Sequence, residues 1–423
     1  MITAVVGINW GDEGKGRIVD LFSAGSGIVA RYQGGNNAGH TVVNDQGKFV
    51  LNLLPSGIFR PETLNVMGGG MVIDLEHLWG EITALTKRDV AVTPDNLKIS
   101  EKAFICMPYH KQLDVLEETR LGAFKQGSTQ RGIAPAYADK YYRKGLRLGD
   151  LLDPSTLRGK VKTAVDWKNL TVAKGYGAEA LTVDGVMAWL GTFGGPLLPY
   201  IADTDALMES AAEGGQQILL EAQLGALRDI DFGIYPYTTS SSALAAYAPI
   251  GAGIPARRID RVVGVIKAYS SSVGGGPFVC EFSGGEAEKL REAGHEYGAA
   301  TGRPRRVGGF DVVASRYGVR VQGPSELALT NLDVLSIYDR IPVCVAYEVD
   351  GEVTTAFPSG SRLERAKPIY EYLEGFHTDI TGCRAFSDLP AAAADYVAYI
   401  EKAMGCPITT VSVGPERNAY FVR

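Results

Sequence analysis

The chain has 423 residues, 45% of them hydrophobic and 21% charged, enough apolar material for one large α/β domain or two to three smaller ones. Forty-two basic and 48 acidic side chains leave a net charge of -6, and no block of like charge stands out, which argues against a general nucleic-acid or polyanion binder. Nothing approaches ~20 apolar residues in a row, so no membrane span is expected.

The N-terminal stretch Met1 to Gly16 lacks a basic leader region and has Asn9 and two acids in its path, so it reads as a buried strand rather than a secretory signal. Further strand-like runs follow in chain order. Beginning with Ile2 to Ile8, they are Ile28 to Tyr32, Leu64 to Met67, Gln217 to Leu220, Arg261 to Ala268, Leu327 to Leu329 and Val343 to Tyr347. Helix-period stretches at Leu75 to Thr86, Asp184 to Leu190 and Leu389 to Met404 lie among them. Continuous Val/Ile/Leu runs suit strands covered on both faces. The alternation predicts an α/β fold with a mostly parallel central sheet flanked by helices, and ligands at the carboxyl ends of its strands. We expect a single elaborated domain over 1–423, with a helical and loop insertion around 108–167. Five cysteines (Cys106, Cys280, Cys344, Cys383, Cys406) stand singly, without a CxxC pair or His at zinc spacing, which fits a reducing, cytoplasmic setting.

Four clusters carry candidate chemistry. Gly7 to Arg17 (GINWGDEGKGR) lies between a strand and the helical pattern Ile18 to Phe22, an arrangement that offers backbone N–H groups and a positive dipole end to phosphate oxygens. It is P-loop-like but no Walker A, because Asn9 replaces the first Gly and Gly16 the metal-binding Ser/Thr. Lys15 is placed to reach a phosphate. Asp12 beside phosphates would be repulsive unless it binds Mg²⁺ or takes a proton. Gln33 to Thr41 (QGGNNAGHT) carries His40, one of five histidines, after flexible glycines that suit loop closure. Gly127 to Tyr137, followed by Asp139, Lys140 and Arg143, places hydroxyls and guanidinium forks where a phosphomonoester can be held. Thr301 to Arg306 (TGRPRR) concentrates three arginines, suited to carboxylates or phosphates. A tight turn, a structural histidine and solvated loops are the plainer readings of these clusters taken singly.

Taken together, these segments resemble the adenylosuccinate synthetase family, which joins L-aspartate to inosine monophosphate at the expense of GTP. The likeness runs from Val6 to Arg417 through WGDEGKG (Trp10 to Gly16), GGNNAGHT (Gly34 to Thr41), RGIAPAYADK (Arg131 to Lys140), DIDFGIYPYTTSS (Asp229 to Ser241), KAY (Lys267 to Tyr269), GPF (Gly276 to Phe278), TGRPRR, LTNLDVL (Leu329 to Leu335) and SVGPER (Ser412 to Arg417). The resemblance implies Asp12 as the base that removes purine N1–H, His40 as hydrogen-bond donor to the transferring phosphoryl, and Lys15 as its electrostatic clamp. Mg²⁺ would sit on Asp12 and the Gly39 carbonyl. The donor nucleotide would be held by Asp12 to Gly16 (Asp12, Glu13, Gly14, Lys15, Gly16), Gly39, His40, Thr41, Arg305, Asn331, Asp333, Ser412 and Gly414. The purine monophosphate falls to Asn37, Thr129, Arg143, Leu224, Thr239 and Arg303, and aspartate to Ala299, Ala300, Thr301, Arg303 and Arg305. Arg143 would act across the interface of a homodimer.

The sequence departs from the family pattern at several loops. Where the family reads EGAQG, this chain has Glu221-Ala222-Gln223-Leu224-Gly225, so Leu224 replaces the amide expected at the purine and Gln223 stands one residue early. Such a slip turns a side chain to the opposite face of an extended segment, so either the backbone is bulged or the base is read differently. Gln130 replaces a glycine, Ser271-Ser272 replaces Thr-Arg, and Asn331 replaces the lysine of the guanine-reading TKLD, while Asp333 retains an acceptor for guanine N1–H and N2–H. These changes leave open a paralogue acting on (deoxy)guanylate, with ATP as possible donor, giving 2-aminoadenylosuccinate as the similar phage enzymes do. A non-catalytic nucleotide-binding regulator is a third reading, against which Asp12, Lys15 and His40 all stand.

Overall fold

The computed structural model describes residues 1–44, 46–298 and 302–423. Ten strands form its main sheet: Ile2–Gly7 (β1), Ile28–Arg31 (β2), Leu64–Met67 (β3), Leu97–Ser100 (β4), Ile201–Ala202 (β5), Ile218–Glu221 (β6), Arg261–Lys267 (β7), Glu326–Thr330 (β8), Ile408–Ser412 (β9) and Tyr420–Val422 (β10). Their order is β10-β9-β8-β7-β1-β6-β2-β3-β4-β5. Neighbours are parallel, except that β10 runs antiparallel to β9. The expected α/β class with a mostly parallel sheet is what the chain forms. Every residue of β1, β2 and β6 is buried, as the unbroken apolar runs require of strands covered on both faces.

β1 is the pivot of this order. β7 pairs with it on one side, Val5 opposite Val263, and β6 on the other, Val5 opposite Glu221. The chain after β1 crosses to the β2 side and later returns to build the β7 side, so the order reverses at β1 and opens a crevice at its carboxyl end. The helix Lys15–Ser23 (α1) starts there and buries Ile18 and Val19 against Val5, Val29, Leu219, Val263 and Val265.

Leu75–Thr86 is a helix with the predicted bounds, capped by Asp74, whose side chain accepts from His77 N. The predicted Asp184 to Leu190 lies inside Val183–Gly194, and the C-terminal helix starts at Ala391, just after Pro390. Within 108–167 the chain forms helices Pro108–Leu121, Ile133–Tyr142 and most of Pro154–Thr171. Asp139 ties these three together, accepting from His110 Nε2 at 2.8 Å and Lys168 Nζ at 2.7 Å in the interior. Val343 to Tyr347 does become strand, within Arg340–Val349, but outside the main sheet. It pairs antiparallel with Lys367–Glu374 and parallel with Phe310–Asp311. Lys367–Glu374 keeps most residues at least partly exposed, as an antiparallel layer with one wet face allows. Among the described residues no helix is long and apolar enough to cross a membrane.

Candidate active site

The parallel strands deliver most of the motifs to one edge. Gly7 to Arg17 follows β1, Gln33 to Thr41 follows β2, Glu221 to Asp229 follows β6, Lys267 to Gly276 follows β7, Asn331 to Leu335 follows β8, and Ser412 to Arg417 follows β9. A cavity of about 690 Å³ opens at this edge. Asp12, Asn37, Gly39, Thr129, Leu224, Thr239, Arg303 and Arg305 all line it.

Asp12 has left-handed backbone, φ 60°, which turns its carboxylate out of the loop onto the cavity wall. Its side chain is 29% exposed and its Oδ2 lies 3.3 Å from Arg305 Nε. Arg305 is in turn held by buried Glu296, 2.9 Å from Nη1, and Glu296 also accepts from Lys267 Nζ (2.7 Å) and Tyr269 OH (2.5 Å). The KAY segment therefore anchors the arginine that faces Asp12. Burial alone would raise the Glu296 carboxyl, but Lys267 and Arg305 outweigh it and hold it below the usual range. Glu13 points inward. It accepts from Asn9 N (3.1 Å) and Gly11 N (2.8 Å) and takes Lys15 Nζ at 2.6 Å. Lys15 is thus buried behind the cavity wall, pre-positioned by a carboxylate rather than extended into the open space.

His40 begins the strand after the second glycine cluster and is 6% exposed. Its Nδ1 lies 2.5 Å from Glu221 Oε1, at the carboxyl end of β6. Glu221 also accepts from Ser56 N (2.8 Å) and Ser56 Oγ (2.7 Å). Burial favours protonation of Glu221, yet the His40 hydrogen bond, Arg31, and Ser56 together hold its pKa down at about 2. Burial, helped by Arg31, lowers the His40 pKa despite that carboxylate. The pair is therefore a carboxylate and a neutral imidazole that donates Nδ1–H. The buried Nε2 has no partner among the described residues. The glycine at position 16, which disqualifies a Walker motif, has its reason here: a Cβ at Gly16 would stand 2.8 Å from the His40 Cβ. The loop gives up the Ser/Thr to admit the imidazole.

The slipped motif resolves into a twisted backbone. Leu224 is left-handed, φ 58°, and lines the cavity beside Gly11. Gln223 does not return to the purine side: it is fully buried, and its Nε2 donates to Gly35 O (2.8 Å) and Asn52 O (3.2 Å). Gln130, where the pattern has glycine, also adopts φ 56°. Left-handed non-glycine residues each carry about 1–3 kcal/mol of strain and concentrate at functional sites, and Asp12, Gln130 and Leu224 all line one cavity.

The remaining predicted residues divide. Thr239 is buried, with Asn37 Nδ2 3.5 Å from its Oγ1, whereas Thr129 is exposed. Asp333 is half-buried and burial raises its pKa. Asn331 is left-handed, φ 58°, a conformation that asparagine accepts more readily than lysine. Arg17 joins the donor-side loops to α1, donating to Ser412 Oγ at 2.8 Å and to the Gly414 carbonyl. Gly14, Thr41, Asn331, Asp333, Ser412 and Gly414 lie off the cavity lining, on the same edge of the sheet. Arg143, exposed and left-handed, lies past the end of the helix Ile133–Tyr142 and off the cavity wall. Ala299, Ala300 and Thr301 lie outside the described residues. Among those described, no group of three or more His, Cys, Asp or Glu is placed to hold a metal. The sequence reading missed Glu221, although a carboxylate ending a strand beside the glycine loops was the available signal. It also missed Arg228, buried on the cavity wall.

A family model described as adenylosuccinate synthetase matches residues 4–421. The adenylosuccinate synthetase of Parafrankia sp. is 47% identical over 419 residues, covering 99% of this chain and 98% of that protein. That of Streptococcus gordonii is 45% identical over 415 residues, 98% and 96%. The structure of fully ligated adenylosuccinate synthetase from Plasmodium falciparum superposes with a TM-score of 0.93 at 36% identity, covering 100% of this chain and 99% of the other. The succinoaminodeoxyadenylate synthetase of cyanophage S-2L, bound to dGMP and dATP, shares the fold at TM-score 0.62 and 20% identity, with 99% and 94% covered.

Proposed function

This chain belongs to the adenylosuccinate synthetase family, and from that premise we propose how its cavity joins L-aspartate to C6 of inosine monophosphate with GTP as phosphoryl donor. It is a GTP-dependent C–N ligase of purine biosynthesis. In the first step Asp12 takes the N1 proton, charge moves to O6, and O6 attacks the γ-phosphorus while the bond to the bridging oxygen of GDP breaks. In the second, the aspartate amine attacks C6, the C6–O bond breaks and phosphate leaves, taking up the proton that the amine gives up, its departure replacing that of oxide. Lys15 offsets negative charge that gathers on the transferring phosphoryl. A polyanion arriving at His40 Nε2 counters the effect of burial and Arg31 and favours the imidazolium, whose Nε2–H then donates to the phosphoryl. The observation that carries this reading is the placement of Asp12 on the cavity wall with an unpartnered buried His40 Nε2 behind the same loop.

Magnesium suits this donor set. Mg²⁺ is held by one or two carboxylates plus substrate phosphates, and Asp12 offers a partly exposed carboxylate on the wall of the cavity that Gly39 also lines. Bound there, it would offset negative charge on the donor's phosphates.

A matrix of inosine, guanosine and deoxyguanosine monophosphates against GTP and ATP, read by product mass, tests the reading. Adenylosuccinate from the inosine–GTP arm is expected, and its absence sinks the proposal. Leu224 at the purine and Asn331 at the donor base are the reasons for the other arms.

Arg303→Leu should chiefly raise the aspartate requirement, because a guanidinium on the cavity wall is a carboxylate partner. Initial rates against aspartate concentration check this, and an unaltered aspartate dependence contradicts the placement. The position of Arg143 off the cavity wall supports the idea that it completes the site of a second copy. Mixing inactive Arg143→Leu with inactive Asp12→Asn should then restore activity through hybrid dimers. No recovery despite demonstrated subunit exchange would refute the shared site.

A further inference from the structure

Arg228 ends the short turn Ala226–Arg228 after β6 and is 7% exposed on the cavity wall. Its Nη1 donates to the Tyr237 carbonyl (2.5 Å) and the Gly275 carbonyl (3.2 Å); its Nη2 donates to Ser272 Oγ (2.8 Å) and the Val273 carbonyl (2.6 Å). These acceptors, three carbonyls and a hydroxyl, are uncharged. Burial, with Arg306 adding its repulsion and Asp12 opposing, pushes the guanidinium down to about 10.

The loop it grips has little means of holding itself. Gly274 and Gly276 are left-handed, φ 86° and 94°. The loop lies flat against Tyr237, where a Cβ at Gly275 or Gly276 would stand 3.0 or 2.7 Å from the ring. With no side chains from 274 to 276 to bury, its position rests on its carbonyls, which two guanidiniums hold: Arg228 from one side, and Arg306 through Gly276 O at 2.7 Å from the other. The same loop borders Gly127, whose Cβ would meet Gly275 N at 3.4 Å, and so the Gln126–Arg131 wall of the cavity. Ser272, where the family pattern carries arginine, contributes only the hydroxyl that accepts from Arg228. An arginine side chain entering from 272 would have to pass through the volume now filled by the Arg228 head.

We propose that Arg228 is a positioning residue for the purine monophosphate: entering from 228 in place of a guanidinium at 272, it fixes the Ser272–Gly276 loop as one wall of that subsite. This rests on the function proposed above. Steady-state constants for all three substrates and the thermal shift produced by inosine monophosphate alone test it, on the wild-type protein, Arg228→Leu, Arg228→Lys, and the double variant Arg228→Leu/Ser272→Arg. Arg228→Leu should raise the KM for the monophosphate roughly tenfold or more, as expected for loss of several hydrogen bonds from a charged donor, with the KM for GTP within about twofold. Its thermal shift with inosine monophosphate should shrink in parallel. Arg228→Lys, which keeps the charge but loses the fork, should fall between, and the double variant should recover most of the monophosphate affinity.

An unchanged monophosphate KM in Arg228→Leu overturns the proposal. So does an equal rise in all three KM values accompanied by a lower Tm, which marks a merely structural role. A folded double variant without recovery overturns the exchange of positions, and this arm decides the matter if Arg228→Leu does not fold. Wild-type protein that neither binds nor converts inosine monophosphate would refute the proposed function instead.

Discussion

Asp12→Asn should lower turnover by ~10² or more while leaving inosine monophosphate affinity nearly unchanged, the signature of a lost general base. The substitution is well matched to the site. Asparagine accepts the left-handed backbone that position 12 requires, and its side chain keeps the size and reach of the carboxylate, though not its charge toward Arg305 Nε, 3.3 Å from Asp12 Oδ2. Shape survives while the ability to take the N1 proton is removed. Turnover and equilibrium binding of each nucleotide measured on one preparation separate the two effects. Undiminished turnover would strike Asp12 from the mechanism; a matched collapse of binding and turnover would make its role one of holding the nucleotide.

Much of the architecture could be read in advance because several buried strands carry a local signature, a short apolar run that in β1, β2, β3 and β7 is followed by a glycine-rich loop. In a parallel sheet those loops must emerge on the same edge, so β1, β2, β6, β7, β8 and β9 put their motifs together without any knowledge of pairing. What escaped depends on contacts between distant segments. Glu221 and His40 are separated by 181 positions, and their pairing follows from β6 lying between β1 and β2, an order that no local pattern states. The reason for Gly16 is likewise a neighbour, His40, rather than a backbone need. Gln223 could be seen to be out of step, but only the left-handed turn at Leu224 shows that its amide serves the Gly34–Gly35 turn instead of the base. Arg340–Val349 has strand composition whichever sheet it joins, and composition does not choose the partner.

Glu221→Gln is expected to cut turnover by about tenfold or more, by withdrawing the charge that stabilises the His40 imidazolium rather than by moving the ring or removing its Nε2–H. The direction follows from the donors around the carboxylate. Oε2 accepts from Ser56 N, a backbone amide that can only donate, so the glutamine oxygen must face it. The NH2 group then occupies the Oε1 position, against His40 Nδ1 and Ser56 Oγ. Nδ1 becomes an acceptor and its proton moves to Nε2, so the neutral ring still offers Nε2–H to the phosphoryl, but the imidazolium, the stronger donor, loses the charge that offset burial and Arg31. With Glu221 gone, the His40 pKa falls further below its ordinary value. The charged donor is lost as pH rises through that pKa, so the alkaline limb of the kcat profile moves to lower pH. Stability changes in a separate window. The folded-state pKa of Glu221 is about 2 against an ordinary 4.5, so its ionised form stabilises the wild-type fold above that ordinary value and the contribution fades as pH falls toward 2. The glutamine variant lacks this dependence. A kcat–pH profile with an unmoved alkaline limb and turnover within about threefold of wild type would show that Glu221 only packs behind the imidazole, and that the charge state of His40 is set elsewhere.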